Sequence, residues 1–280
     1  MPKQHTIRFD GQVIVITGAG RGLGAAYARL IAARGGAIVV HDAGVAKDGG
    51  GFDPFVADAV VAEINGTGGS AAACYENLEV AGAAERIIAF AISRYGRIDA
   101  LVNNAGLVVF ANVEETELAV WDRMVAIGIS APFLLARAAI PHMRNQGYGR
   151  IVFTTSGRAM RVEDCVPGLT AYSAAKLAQI GLMVGLAAEL IDTNIQVNAI
   201  SPVAATRVLR RSAPELSPEL VAPAAAFLAS SACTTSGAVL NAAGGRFFGA
   251  WWDRSQVIDL GPAPVAPEDI AANWCRIKRQ

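Results

Sequence analysis

Residues 13–24 read VIVITGAGRGLG, five residues rich in Val and Ile followed by a loop with glycine at 18, 20, 22 and 24. A short β-branched run predicts a strand, and the Ala-rich stretch after Gly24 predicts a helix, so the segment is strand, tight turn and helix start. Glycine in such a turn permits positive φ and lets an anion approach the backbone, where the helix N-terminus stabilises its charge. The strict GxGxxG spacing is absent, because Leu23 stands at its last position, and Gly18, Gly22 and Gly24 give GxxxGxG instead. No lysine follows at P-loop spacing, which disfavours nucleoside triphosphate hydrolysis. The expected ligand of Gly18, Arg21, Gly22, Leu23 and Gly24 is a dinucleotide pyrophosphate, against the alternative of a structural turn.

Outward from this loop, short apolar runs at 13–17, 37–41, 70–74, 100–103, 150–155, 196–200 and 239–241 alternate with longer stretches of helical period. Such alternation predicts an α/β chain with a Rossmann-like, doubly wound, seven-stranded parallel sheet in a single domain. The expected boundaries are a domain over 1–261 and a Pro-rich C-terminal tail over 262–280. Ligands of such a sheet bind beyond the C-terminal ends of the strands, and the unusual residues of this chain fall there.

The 280 residues are 53% hydrophobic and 17% charged, a composition that excludes a disordered chain. The 24 basic residues balance 24 acidic ones, which leaves no basic excess for nucleic acid. Cys74, Cys165, Cys233 and Cys275 form no CxxC pair, and His5, His41 and His142 are far apart, so no metal site is expected and a reducing, cytoplasmic compartment is. The N-terminal residues lack a signal-peptide core, the C-terminus is not of the Ser-Lys-Leu type, and the longest apolar stretches fall short of the roughly 20 residues that cross a bilayer. No membrane partner is expected.

After the second strand, Asp42 stands where a carboxylate accepts hydrogen bonds from the adenosine ribose and repels a 2′-phosphate, which favours NAD over NADP. Arg21 pulls the other way, since a guanidinium pairs with phosphate. Asn77 and Leu78 follow the third strand, either as adenine contacts or as loop and core residues. Asn103, Asn104, Ala105 and Gly106 follow the fourth, read as a brace beneath the cofactor. Tyr172 and Lys176, at i and i+4, share one helix face, and Ser156 follows the strand-end Thr154-Thr155.

Taken together, TGAGRGLG, NNAG, Ser156 and YSAAK, in that order, resemble the short-chain dehydrogenase/reductase family. RFDGQVIVITGAGRGLGAAYA, GRIDALVNNAG, YGRIVFTTS, AYSAAKLAQIGL and the Trp251-Trp252 region resemble one branch of it over residues 6–261: the (3R)-hydroxyacyl-CoA dehydrogenase unit of type 2 multifunctional β-oxidation enzymes. The resemblance implies NAD as cofactor, Tyr172 as general acid/base, Ser156 as the group hydrogen-bonded to the substrate oxygen and Lys176 as the holder of the nicotinamide ribose. Lys176 and the oxidised nicotinamide are expected to lower the Tyr172 pKa, against burial, which raises it. Pro202 and Thr206 are implied as further cofactor contacts, Thr206 toward the carboxamide. The chain departs from the pattern at Gly128, where many members carry an Asn. It departs again in the interval from Ser156 to Tyr172, which is longer than usual and holds Arg158, Arg161, Glu163 and Asp164.

The implied activity is hydride transfer between NAD and a secondary alcohol or ketone, with a 3-hydroxyacyl thioester as first substrate. The alternatives are a steroid, terpenoid or other ring alcohol, and a catalytically silent dinucleotide-binding protein. The long apolar helix after Tyr172 predicts a homodimer or homotetramer, with Trp251 and Trp252 as packing or subunit-contact residues.

Overall fold

A computed structural model describes residues 6–45, 51–205, 213–262 and 264–278. Two compact units divide the chain at Gly249 and Ala250. The first unit alternates strands and helices as β1 (Val13–Thr17), α1 (Gly22–Ala32), β2 (Ala37–His41), α2 (Phe55–Gly66), β3 (Ser70–Cys74), α3 (Ala83–Tyr95) and β4 (Ala100–Asn103). It continues through α4 (Leu118–Val125), α5 (Ala131–Asn145), β5 (Gly149–Thr154), α6 (Thr170–Glu189), β6 (Ile195–Val203), α7 (Ala222–Leu228), β7 (Val239–Ala243) and β8 (Arg246–Ala250). The second unit carries α8 (Pro267–Ile277), which the sequence left inside a Pro-rich tail. Its first turn is closed by the Ala266 N–H donating to Asp269 Oδ2 at 2.9 Å.

The strand order is β3-β2-β1-β4-β5-β6-β7-β8, and β1 through β7 pair in parallel. Helices α1, α2 and α7 lie together on one face, and α3, α4, α5 and α6 on the other. That covering is what a sheet with wholly buried strands requires: every residue of β1, β4 and β5 is buried. The order reverses between β1 and β4, which opens a crevice at the strand C-termini.

The seven expected strands are present, and β6 and β7 run further than expected because their register continues through Pro202↔Ala242 and Val203↔Ala243. Pro202 therefore ends a strand rather than following one. An eighth strand, β8, extends the sheet. Gly244 and Gly245, with φ of 53° and 74°, form the two-residue turn of a β7–β8 hairpin, a conformation that only glycine adopts readily at both positions.

Leu118–Asn145 is one helical run of 28 residues with mean hydropathy 1.7, and Thr170–Glu189 reaches 1.2, so both are long and apolar enough to cross a bilayer, contrary to the sequence expectation. Both instead bury apolar sides inside this unit, with Leu135, Ala139 and Met143 of α5 and Ile180 and Met183 of α6 wholly or nearly inaccessible. Between α4 and α5 the run passes through a π-helical turn, Ala126–Ser130, with Gly128 at its centre. A Cβ at 128 would lie 2.7 Å from the Ala175 Cβ of α6, so the missing side chain is what lets the two helices meet. Gly128→Ala is expected to cost about 1–3 kcal/mol in urea unfolding through overpacking; an unchanged midpoint would show that α6 has room to retreat.

Candidate active site

At the end of β1 the glycine loop is fixed by contacts that exclude side chains. Gly18 has φ +63°, and a Cβ there would come within 3.0 Å of the Ala105 Cα. A Cβ on Gly24 would strike the Gly18 carbonyl. Gly22 opens α1, Leu23 packs on the core, and Arg21 is the extended residue before the helix. No side chain caps this N-terminus, and the first turn carries no acidic residue. Its free N–H groups and the helix dipole are therefore available to an anion.

Asp42, just beyond β2, leans over the same loop. One carboxylate oxygen accepts from the Gly20 N–H at 3.0 Å and the other from the Gly44 N–H at 2.9 Å. Arg21 lies 3.9 Å from Asp53, so its guanidinium is turned to another carboxylate. Past β3, Asn77 caps its own turn by accepting from the Glu79 N–H at 2.9 Å, and Leu78 is half-buried beside it. Past β4, the Asn104 side-chain amide donates to the carbonyls of Thr17 and Gly18 at 2.9 and 3.1 Å. The Thr17 hydroxyl oxygen accepts from the N–H groups of both Asn104 and Ala105 at 3.0 Å. The brace expected from NNAG is thus a set of four bonds, with Thr17, unmarked in the sequence reading, at its centre.

Tyr172 and Lys176 lie on the first turns of α6, facing the end of β5. Lys176 is buried, with its ammonium donating to the Thr154 carbonyl at 2.8 Å. The Thr155 hydroxyl donates to the Lys176 carbonyl at 2.8 Å, and Gln179 Oε1 accepts from the Thr154 N–H at 3.1 Å. Three hydrogen bonds thereby bind α6 to the strand end that carries Ser156. A Cβ on Gly106 would lie 3.3 Å from the Lys176 ammonium, so the β4 loop, the lysine and the tyrosine share one corner. The lysine stands 5.9 Å from the centre of the Tyr172 ring. Gln179, wholly buried, escaped the sequence reading; the signal was a lone polar residue one turn after Lys176 on an apolar helix.

The electrostatics differ from expectation. Burial pushes the Tyr172 pKa up, and the groups that pull it back are the hydrogen-bonded Ser156 hydroxyl and then the charge of Arg158 rather than that of Lys176. Burial also pushes Lys176 down, to about 8. The ammonium is desolvated and bonded to a neutral carbonyl, so it offers the tyrosine less charge than an exposed lysine would.

Ser156, Tyr172, Lys176, Asp42, Asn104, Ala105, Gly106 and the loop from Gly18 to Gly24 all lie at the C-terminal ends of the strands, with Asn77, Leu78 and Pro202 at the ends of β3 and β6. Thr206 lies outside the described residues. A nicotinamide dinucleotide fits this set: side-chain-free backbone and an uncapped helix start for a pyrophosphate, a carboxylate for a ribose, and a lysine with N–H groups to spare under Gly106.

A family model for short chain dehydrogenases matches residues 12–215. The chain is 37% identical to the peroxisomal multifunctional enzyme type 2 of Mus musculus, over 97% of this chain and 37% of the mouse protein, so it spans little more than a third of that relative. It is 36% identical to a putative short-chain type dehydrogenase/reductase of Mycobacterium tuberculosis, over 95% of this chain and 93% of that protein. The crystal structure of a short chain dehydrogenase from Mycobacterium avium superposes with a TM-score of 0.83 at 33% identity, covering 96% of this chain and 95% of the other.

The buried lysine has a measurable cost. The unfolded chain holds its proton up to about 10.5 and the native protein releases it near 8, so the penalty is full below pH 8 and fades as pH rises between those values. The unfolding free energy of Lys176→Met minus that of wild type is therefore expected to be about 2 kcal/mol larger, in the stabilising direction, at pH 7 than at pH 9.5. Urea titrations of the ligand-free proteins at both pH values measure it, and a pH-independent difference would refute the desolvation account.

Proposed function

The chain belongs to the short-chain dehydrogenase family, and from that premise we propose that it transfers a hydride between NAD and a secondary alcohol or ketone, with 3-hydroxyacyl thioesters as its substrate class. It is an oxidoreductase whose cofactor is a nicotinamide dinucleotide. The observation that carries the reading is the corner where Ser156, Tyr172 and Lys176 meet, held by three hydrogen bonds between β5 and α6.

The glycine loop and the N-terminus of α1 would hold the pyrophosphate, Asp42 the adenosine ribose, and Lys176 the nicotinamide ribose. When bound, the nicotinamide supplies the hydride acceptor and a positive charge. The Ser156 oxygen accepts from the Arg158 N–H at 3.3 Å, and its O–H, which pairs with the Tyr172 phenol here, would turn to the substrate oxygen. Tyr172, as phenolate, takes the proton of the carbinol, and in the reverse direction its phenol gives that proton to a ketone. Gly128 carries no side chain that could order a water beside Lys176.

Two features support NAD over NADP. Asp42, held beside the glycine loop by backbone N–H groups, would repel a 2′-phosphate there, and Arg21 is drawn toward Asp53. Thioester substrates are supported by the likeness to the multifunctional enzyme unit over nearly the whole chain. Four free cysteines fit a reducing compartment such as the cytoplasm. Leu177, Val184 and Ile191 expose a stripe at seven-residue spacing, which supports contact between copies in a homodimer or homotetramer.

The test is NADH formation on a panel of 3-hydroxyacyl thioesters and ring alcohols, with NADP in parallel. The wild type should act on the thioesters with NAD. Tyr172→Phe should lose about 10²- to 10⁴-fold in kcat while still binding NADH by fluorescence. Equal turnover by wild type and Tyr172→Phe would sink the mechanism, and activity on ring alcohols alone would sink the substrate class.

A further inference from the structure

The interval between Ser156 and Tyr172 carries two basic and two acidic side chains near its start, and their pairing is uneven. Arg161 lies 3.3 Å from Glu163 and 4.0 Å from Asp164, which accounts for three of the four charges. Arg158 has no carboxylate partner among the described residues, although it is half-buried. A half-buried guanidinium beside the reaction centre, with no carboxylate opposite it, keeps its N–H donors for a ligand oxygen.

The backbone of Arg158 is tied to both sides of the reaction centre. Its N–H donates to the Ser156 hydroxyl oxygen at 3.3 Å, and its carbonyl accepts from the Ser173 hydroxyl at 3.2 Å. Ser173 adjoins Tyr172, so the loop is sewn between the strand that supplies Ser156 and the helix that supplies Tyr172. The groups that face the phenol are Ser156, Arg158 and Lys176, and no carboxylate acts on it among the described residues.

We propose that Arg158 is a specificity-determining residue whose guanidinium binds the acyl oxygen of a β-hydroxy or β-keto acyl substrate. The inference rests on the dehydrogenase reading above and deepens it. A carbinol oxygen held between Ser156 and Tyr172 places the acyl carbon of such a substrate two bonds beyond the carbinol carbon, within reach of a long side chain rooted beside Ser156. The guanidinium offers several N–H donors in a planar fork and accepts none, so a carbonyl or carboxylate oxygen satisfies it while a plain hydrocarbon leaves it unpaired. Substrates without that oxygen leave the donors of the guanidinium without a partner in the complex and are thereby disfavoured.

The experiment compares wild type, Arg158→Met and Arg158→Lys on three substrates of matched chain length: a 3-hydroxyacyl thioester, the free 3-hydroxy acid and an unsubstituted secondary alcohol. The expected result in Arg158→Met is a fall of about 10- to 100-fold in the ratio of kcat/KM for the acyl substrates over that for the plain alcohol. The loss should sit mainly in KM, because the contact is made in ground and transition states alike, while any shift of the kcat pH profile, from losing the Arg158 charge near Tyr172, should be the same for all three substrates. Arg158→Lys, which keeps the charge and loses the fork, should fall between and guards against a folding defect. The two acyl arms show whether a thioester carbonyl or an ionised carboxylate is the natural partner. Proportional losses on all three substrates, with only the acid limb of the profile moved to higher pH, would overturn the proposal and leave Arg158 acting only on Tyr172. An unchanged ratio would overturn it as well. A wild type inactive on every substrate would overturn the dehydrogenase reading and this inference together.

Discussion

The bond from the Lys176 ammonium to the Thr154 carbonyl is the constraint on which the site depends. A lysine so buried is costly, and it stays because the strand end, the Thr155 hydroxyl and the Gln179 amide hold the first turns of α6 in one place. With α6 fixed there, Tyr172 has one position relative to Ser156, and both stand at the C-terminal edge of a sheet whose central strands are wholly buried. Gly128 belongs to the same constraint: its π-helical turn packs against Ala175, the residue before Lys176 on the helix.

A second fastening joins the two halves of the crevice. Thr17 and Asn104 exchange hydrogen bonds across the β1 and β4 loops, so the glycine turn and the segment above Lys176 move as one piece. That coupling gives the strand-order reversal a rigid floor. The pyrophosphate end and the nicotinamide end of a dinucleotide then see surfaces whose separation is set by the sheet rather than by loops. The longer segment after Ser156 is anchored through Arg158 to Ser156 and Ser173 and through Gly168 to Ala111, with residues 161–164 exposed.

Much of this was legible in the sequence because buried parallel strands read as unbroken apolar runs and their loops are marked by glycine and Asn. The first four strands match residue for residue, and the trio of Ser156, Tyr172 and Lys176 converges as the helical spacing suggested. What escaped depends on contacts between distant residues. β8 lies at the sheet edge with most of its side chains exposed, so RFFGA has no apolar face to give it away, although Gly244-Gly245 is a hairpin signal. The role of Gln179, the reason for Gly128 and the charge of Arg158, rather than Lys176, acting on Tyr172 all arise from packing that only the folded chain creates.

If the corner of Ser156, Tyr172 and Lys176 works as proposed, a hydride passes directly from a carbinol carbon to a nicotinamide. The direct measurement uses a 3-hydroxyacyl thioester carrying deuterium on its carbinol carbon, with NAD, and reads the recovered dinucleotide by NMR. The account predicts deuterium at C4 of the nicotinamide ring, on one face only and without loss to solvent. Unlabelled reduced dinucleotide, or label that appears in water, would contradict it.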